Sequence, residues 1–408
     1  MTDLALIADD LTGAADSGVP FAMAGFSTAI PFDVPRREAA DVLAFSTESR
    51  DVSVREAERR VRAALTAVFG RDGSLRPAWI YKKMDSALRG HPVEELLITM
   101  QVAKAQRVIV APALPSQGRT TVEGVIYDQG VPLAMTTMGK VHGRQDLVHL
   151  FQRDSRIPVR SIGLSTVRGT TRELRNAFAA PGSWIAIADA ETEADLEAIA
   201  TVGIAAGIRL FSGAAGLSGV LAQRLPIHQL QRPPTIRTST GPILVVAGSR
   251  HEATARQVAI LVATGATVIR LRQEHLDHPD IDLVDVRQKL EAILPDARCI
   301  VVTTVGLGPA QMGGEVVAKR LGEAVAVPDL VDRIGGLVLT GGDVAAAICR
   351  QIGVRTIWLR GEVLPAIPWT TVSGAGIEGL PVVTKAGSFG PDDAIVRAVR
   401  VLEEVHQD

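Results

Sequence analysis

Two adjacent carboxylates, Asp9 and Asp10, end the apolar run Leu4 to Ala8 and lead at once into Thr12, Gly13 and a segment of small residues. A buried strand that stops at a pair of acids and turns into a helix puts both acids at the carboxyl edge of a sheet, where open α/β folds bind ligands. A single Asp there is a common helix cap; two beside a Thr-Gly turn point to chemistry. A second charged segment follows the apolar run Trp79 to Lys82: Lys83, Met84, Asp85 and Ser86, then Arg89, Gly90 and His91 before Pro92. As a solvated turn it would need no further account. As an anion-binding loop, its Lys, Ser and Arg would grip a carboxylate or a phosphate, while Asp85 accepts from hydroxyls. Gln117-Gly118-Arg119-Thr120-Thr121 repeats this chemistry, and Arg50 ends the apolar run Val42 to Ser46 at the same edge as Asp9 and Asp10.

The second half offers a different chemistry. Three glycine loops interrupt its strand–helix pattern: Ala247-Gly248-Ser249, Thr340-Gly341-Gly342-Asp343, and Lys385-Ala386-Gly387-Ser388-Phe389-Gly390, the last running toward a helix with Pro391 at its first position. Glycine lets backbone amides approach an anion, and a helix N-terminus adds unpaired N–H groups and positive potential. Singly, each loop has a plainer account, since Ser249 with Glu252 reads as a capping box and Gly-Gly as a connector. Three in one half argue for a polyphosphate. GxxxxGK[ST] and GxGxxG are both missing, which speaks against a P-loop NTPase and a Rossmann dinucleotide site. His251-Glu252 lacks the second histidine of a zincin. His275, Asp277, His278, Asp280 and Asp282 cluster as metal ligands do, in a polar stretch that reads as a solvated loop.

The elements that must position these residues follow from composition and period. A chain of 408 residues, 47% apolar and 22% charged with a net charge of −2, is globular and long enough for two domains. With no basic field and only 4% aromatics it is not built to hold nucleic acid. No apolar run is long enough to span a membrane. Cys299 and Cys349 lack CxxC spacing and sit in apolar segments, as core thiols of a cytoplasmic protein do. Strands alternating with helices predict an α/β fold of two domains, each a mainly parallel sheet with helices on both faces. The Pro-rich stretch 226–241 divides them, giving domains at 1–230 and 242–408 with a linker at 231–241. Residues 112–145 break the rhythm and read as a hairpin or a lid. Ser53 and Glu56 read as a capping box.

On these residues the chain resembles the four-carbon acid sugar kinase family. The likeness lies in IADDLTGAAD (7–16), KKMDSALRGH (82–91), APALPSQGRTT (111–121), Gly248-Ser249 before a helix with Thr254 and Gln257, LTGGD (339–343) and VTKAGSFG (383–390), in the same order. The resemblance implies phosphorylation of the terminal hydroxyl of a tetronic acid by ATP with Mg²⁺. The acid sugar would sit on the first domain, the nucleotide on the second, and the reaction in the cleft between them. It places substrate contacts at Asp9, Asp10, Arg50 and Lys83–Ser86, with Arg89 and Arg119 added by the reading above. It places nucleotide contacts at Ser249, Gly341, Gly342, Asp343, Val344 and Gly387. Asp10 and Asp85 are the candidates for the catalytic acid–base role, and no metal ligands are assigned. Two departures stand out: Val344 where the family often has Thr, and residues 133–150, which do not follow the family's usual Thr-rich stretch. A homodimer is left open. The rival expectations are a non-catalytic sugar-acid sensor, which leaves the glycine loops without a ligand, and a nicotinamide oxidoreductase, against which the missing fingerprint counts.

Overall fold

Short strands that are apolar on both faces, joined by helices, form two units in the computed structural model, Met1–Arg232 and Pro233–Asp408. The structure describes all residues except 1, 33–35, 37, 71–75, 137–145, 230, 250, 279, 309–313, 375 and 406–408.

In the first unit the strands are β1 (Leu4–Ala8), β2 (Thr28–Pro31), β3 (Val42–Ser46), β4 (Trp79–Lys83), β5 (Arg107–Ala111), β6 (Arg119–Val122), β7 (Val125–Asp128), β8 (Val131–Pro132), β9 (Val159–Ile162), β10 (Trp184–Ala188) and β11 (Leu210–Gly213). The main sheet runs β2-β3-β1-β4-β11-β5-β10-β9, with every neighbouring pair parallel. All five residues of β1 and of β10 are buried, the pattern of strands covered on both faces. The longer helices are α1 (Leu11–Met23), α2 (Val54–Phe69), α3 (Pro92–Ala103), α4 (Leu147–Asp154), α5 (Thr171–Phe178), α6 (Glu193–Ala205) and α7 (Ala215–Arg224). The irregular stretch resolves into a small antiparallel sheet, β6-β7-β8. Of the divergent 133–150 segment, residues 137–145 lie outside the described residues.

The second unit has β12 (Ile243–Ala247), β13 (Thr267–Arg270), β14 (Cys299–Thr303), β15 (Gly336–Thr340), β16 (Val354–Leu364), β17 (Ile367–Gly374) and β18 (Leu380–Lys385). Its order is β13-β14-β12-β15-β18-β17-β16, parallel except for the antiparallel pairs β18–β17 and β17–β16. Its longer helices are α8 (Glu252–Ala263), α9 (Val284–Ile293), α10 (Gly314–Ala324), α11 (Gly342–Gln351) and α12 (Ala394–Glu404). Val245, Val301, Val338 and Val383 of the strands pack with Val258 and Leu261 of α8 and Ile395 and Leu402 of α12. Cys299 and Cys349 are buried free thiols.

Three local expectations are corrected. Ser53 caps α2 by accepting from Glu56 N at 3.4 Å, but Glu56 does not reach back: Arg59 and Arg60 hold its carboxylate at 2.6 and 2.7 Å. The Ser249–Glu252 capping box does not form, because His251 caps α8 through Nδ1, accepting from Ala253 N at 3.2 Å. Pro391 does not open the last helix. Residues 389–391 turn under Gln257, whose Nε2 donates to Phe389 O, Gly390 O and Pro391 O at 2.9–3.1 Å, and α12 begins only at Ala394.

Candidate active site

Each parallel sheet has one place where successive connections leave in opposite directions, and ligands of open α/β sheets bind outside the carboxyl ends of the strands there. In the first unit the chain goes from β1 to β2 and back to β3 on one side, then crosses to β4 on the other. Asp9 and Asp10 leave β1, and Met84 and Asp85 leave β4, so both charged segments flank this switch point.

Arg50, carried past the end of β3, joins them. Its Nε and Nη2 donate to Asp9 Oδ2 and Oδ1 at 2.8 and 3.1 Å; Nη1 meets Asp10 Oδ2 at 2.6 Å and Nη2 lies 3.6 Å from Asp85 Oδ2. Asp10 is also the N-cap of α1, accepting from Gly13 N at 2.6 Å. A Cβ at Gly13 would lie 2.7 Å from Asp10 Oδ1, so glycine is what lets the carboxylate close so tightly onto the Gly13 amide; toward Lys83 Cγ, at 3.6 Å, the contact would be ordinary. Asp85 closes its own loop: Oδ1 accepts from Ala87 N and Arg89 N at 3.0 and 3.2 Å, and Arg89 Nε and Nη2 fork onto the carboxylate at 3.1 and 2.7 Å. Ser86 Oγ accepts from Arg119 Nη1 on β6, and Arg119 Nε lies 3.7 Å from Asp128 Oδ1. Lys83 is buried, its Nζ donating to Met84 O at 2.9 Å, and the Met84 side chain is buried as well.

These surroundings separate two carboxyls that look alike in sequence. Burial raises Asp10 above the ordinary aspartate value; Arg50 opposes the rise and the charge of Asp9 adds to it. Burial would raise Asp85 too, but the fork of Arg89 and the charge of Arg50 override it and hold that carboxyl well below the usual range. Asp10 is therefore the better proton acceptor and Asp85 a locked anion.

Sequence reasoning missed several residues here. Lys82 and Glu95 form a buried ion pair at 2.7 Å, and Ser49 Oγ donates to Glu95 Oε1 at 2.6 Å, which fixes the loop that aims Arg50. Glu95 read only as a first-turn acid of a helix. Asp16, one and a half turns beyond Asp10 on α1, has its carboxyl raised by burial against the pull of Lys83. Asp189, just past β10, accepts from Glu123 N and Gly124 N at 2.7 and 2.9 Å and so anchors the β6–β7 turn.

In the second unit the switch point lies between β12 and β15. Gly248 and Ser249 leave β12, Gly341 to Asp343 leave β15, and Gly387 follows β18, so the three glycine loops share one edge. Gly341 has φ +95°, a conformation that favours glycine, and it is the N-cap of α11 with no side-chain cap for the first-turn amides. Its own N–H donates to Lys385 O at 2.9 Å. Gly387 touches Ser249, and Thr254 Oγ1 donates to Gly387 O at 2.8 Å. Val344 is buried, and its Cγ2 would lie 2.7 Å from a Cβ at Gly248. Asp343 stands in the first turn of α11.

Of the group at 275–282, His278, Asp280 and Asp282 are exposed, as the solvated reading expects, and His275 is the departure from it. His275 is buried, Arg272 engages both of its ring nitrogens, and Asp282 pairs with Arg287 at 2.6 Å. Among the described residues no cluster of three or more His, Cys, Asp or Glu is placed to hold a metal, and no helix is long and apolar enough to cross a membrane.

Residues 4–221 match the sugar-binding N-terminal domain family and residues 244–395 the nucleotide-binding C-terminal domain family. A D-threonate kinase of Salmonella typhimurium is 34% identical and one of Cupriavidus necator 32%, each over 98% of this chain and 98% of its own. A D-erythronate kinase of Heliobacterium modesticaldum is 29% identical over 98% of this chain and 97% of its own. A solved Salmonella typhimurium structure shares the fold with a TM-score of 0.83 at 21% identity, covering 98% of this chain and 99% of that one. By the two matched domains and by full-length likeness to these kinases, the chain belongs to the four-carbon acid sugar kinase family.

Proposed function

We propose that the protein is an ATP-dependent kinase that phosphorylates the terminal hydroxyl of a four-carbon sugar acid: threonate, erythronate or a 3-oxo-tetronate. The observation that carries this reading is Arg50, which gathers Asp9, Asp10 and Asp85 at one switch point while a glycine cradle occupies the other unit's. A sensor would have no use for the cradle.

Asp10 accepts the proton of the attacking hydroxyl; its raised affinity for protons suits that role. Asp9 holds Arg50 in place, and Asp85, kept anionic, orients Arg89 and accepts from a substrate hydroxyl. Lys83, Ser86, Arg89 and Arg119 meet the substrate's carboxylate and remaining hydroxyls, with Met84 forming the floor. In the second unit the amides of Ser249, Gly342, Asp343, Val344 and Gly387 receive ATP, while Gly341, whose own N–H is held by Lys385 O, shapes the turn they leave from; Val344 contributes its backbone only. The hydroxyl oxygen forms a bond to the γ-phosphorus as the bond to the ADP oxygen breaks, and positioning with charge neutralisation supplies most of the rate. Mg²⁺ enters with ATP as its counter-ion. The three acids of the first unit are already matched by Arg50 and Arg89 and do not fit a resident cation; Asp343 is the carboxylate at the cradle.

The test is ADP release with ATP·Mg²⁺ across D-threonate, L-threonate, D-erythronate and the 3-oxo-tetronates. Turnover is expected with at least one, and silence with all of them would remove the substrate class.

A further inference from the structure

Lys385, the last residue of β18, is 4% exposed, yet its ammonium has only a 3.5 Å contact from Nζ to Gly387 O. Among the described residues no carboxylate lies within ion-pair reach of it. The elements packed against β18 are β15, β17, α11 and α12. Their titratable side chains are Asp343, Cys349, Arg350, Arg397, Arg400, Glu403 and Glu404. Arg397 is held by Asp393 at 2.8 Å and Glu403 by Arg298 at 2.7 Å, and none of the seven pairs with Lys385. His251, the N-cap of α8, stands beside the same loop, its Cβ 3.7 Å from where a Cβ at Gly387 would be. A buried ammonium with three donors and no anion is costly unless a ligand completes it.

Thr340 supplies the second observation. It ends β15 as the register partner of Lys385 in a parallel pair, so the two side chains leave the same face at the carboxyl edge. Thr340 is fully buried, and its Oγ1 has no hydrogen-bond partner. A buried hydroxyl with no partner and a buried ammonium with one long contact thus stand side by side between the Gly341 and Gly387 loops. Buried polar groups are satisfied in the great majority of cases.

We infer that Lys385 and Thr340 are the seat of a phosphoryl group of the nucleotide, the ammonium supplying its counter-charge and the hydroxyl a neutral hydrogen bond. This rests on the reading of the second unit as the ATP side and gives side-chain roles to Thr340 and Lys385, the residues that open two of the glycine loops, where that reading used backbone amides alone. The ligand-free ammonium is easily deprotonated, because burial alone pushes Lys385 down to about 8. A phosphate beside it favours the charged form, so nucleotide binding near that pH must draw in protons.

The experiment is isothermal titration of the full-length protein with ATP·Mg²⁺ and with ADP·Mg²⁺ in buffers of different ionisation enthalpy. The wild type is expected to take up about half a proton near pH ~8.5 and almost none through this group near pH ~6.5, where Lys385 is already charged. Lys385→Met is expected to lose that uptake and to bind nucleotide about 10- to 100-fold more weakly, the scale of a charge-assisted contact. Lys385→Arg keeps the charge, so it retains part of the affinity while losing the uptake, since guanidinium does not titrate here. Thr340→Val is expected to cost less than tenfold. A merely structural lysine would instead lower the melting temperature of the nucleotide-free protein when replaced by Met; removal of an unpaired buried charge is expected to leave it unchanged or raise it. Equal affinity and equal proton uptake in wild type and Lys385→Met would overturn the seat while leaving the kinase reading intact. A wild type that binds no nucleotide would overturn both.

Discussion

Arg50 faces three carboxylates with one positive charge, and Arg89 brings a second through Asp85. Lys83 brings the third, buried and coupled to Asp10 and Asp16. Three cations against Asp9, Asp10 and Asp85 make a near-neutral cluster, with Arg119, set beside Asp128, at its rim. Within it, burial pushes the Asp10 carboxyl up, whereas the Arg89 fork and Arg50 hold Asp85 down. Asp10→Asn is therefore expected to lower kcat by about 10²–10⁴-fold while the affinity for ATP stays unchanged. The sign of the pH effect follows from the raised carboxyl: activity is lost as pH falls through it, on an acid limb lying above the ordinary aspartate value of 3.8. Asp85→Asn should leave that limb where it is, because Asp85 is already held ionised far below it. A limb that moves with Asp85 and not with Asp10 would reverse the two roles.

Elements decide which of these residues can be read in advance. Strands covered on both faces announce themselves as unbroken apolar runs, so the ends of β1, β3 and β4, and with them Asp9, Arg50 and Lys83, are legible. The edge β16–β17–β18 is only partly so, because Pro368, Gly374 and Pro381 punctuate its apolar residues. The role of Lys385 is hidden for that reason, since a lysine before a glycine loop looks solvated and its burial is a property of the packed sheet. Helices α4 and α5 are short, and each buries three apolar residues or fewer. Caps fail where a local pattern meets a stronger partner, as Glu56 meets two arginines. The loop at Gly387 shows what an element can enforce. Its carbonyl is tied to Thr254 and its continuation to Gln257, so it has little freedom to retreat. A Cβ there would overlap Ser249 Oγ and lie 2.7 Å from Ser249 Cβ, so rotation of the serine does not relieve it. Gly387→Ala is expected to weaken ATP binding about tenfold or more, with a cost in stability of about 1–3 kcal/mol. Ser249→Ala in the same chain should restore binding only in part. Undiminished titration of Gly387→Ala with ATP would show that the cradle is not where the nucleotide sits.

At the scale of the whole molecule, the same device occurs twice: a parallel sheet, a reversal of strand order, and polar loops gathered at the carboxyl edge beside it. What differs is the chemistry at each edge, side-chain charges in the first unit and backbone amides in the second. On the proposed reading each ligand has its own unit, a division that local opening can test. A ligand that binds only the closed form of a segment suppresses opening by its binding free energy, about 2.7 kcal/mol or a hundredfold in exchange rate at a hundred times Kd. Hydrogen exchange on the full-length chain can therefore map both sites in one experiment. D-threonate, or whichever tetronate is turned over, is expected to protect amides around Asp10–Gly13 and Asp85–Gly90, where Gly13, Ala87 and Arg89 already donate to the carboxylates that would grip it. ATP·Mg²⁺ is expected to protect 341–344 and 386–390 and to leave the Gly13 and Ala87 amides at their ligand-free rates. The Asp10→Asn variant should give the same ATP map, since its defect lies in proton transfer. If ATP instead protected the Asp10 loop and left 341–344 open, the sugar and nucleotide edges would have to be exchanged, and the roles of the glycine loops with them.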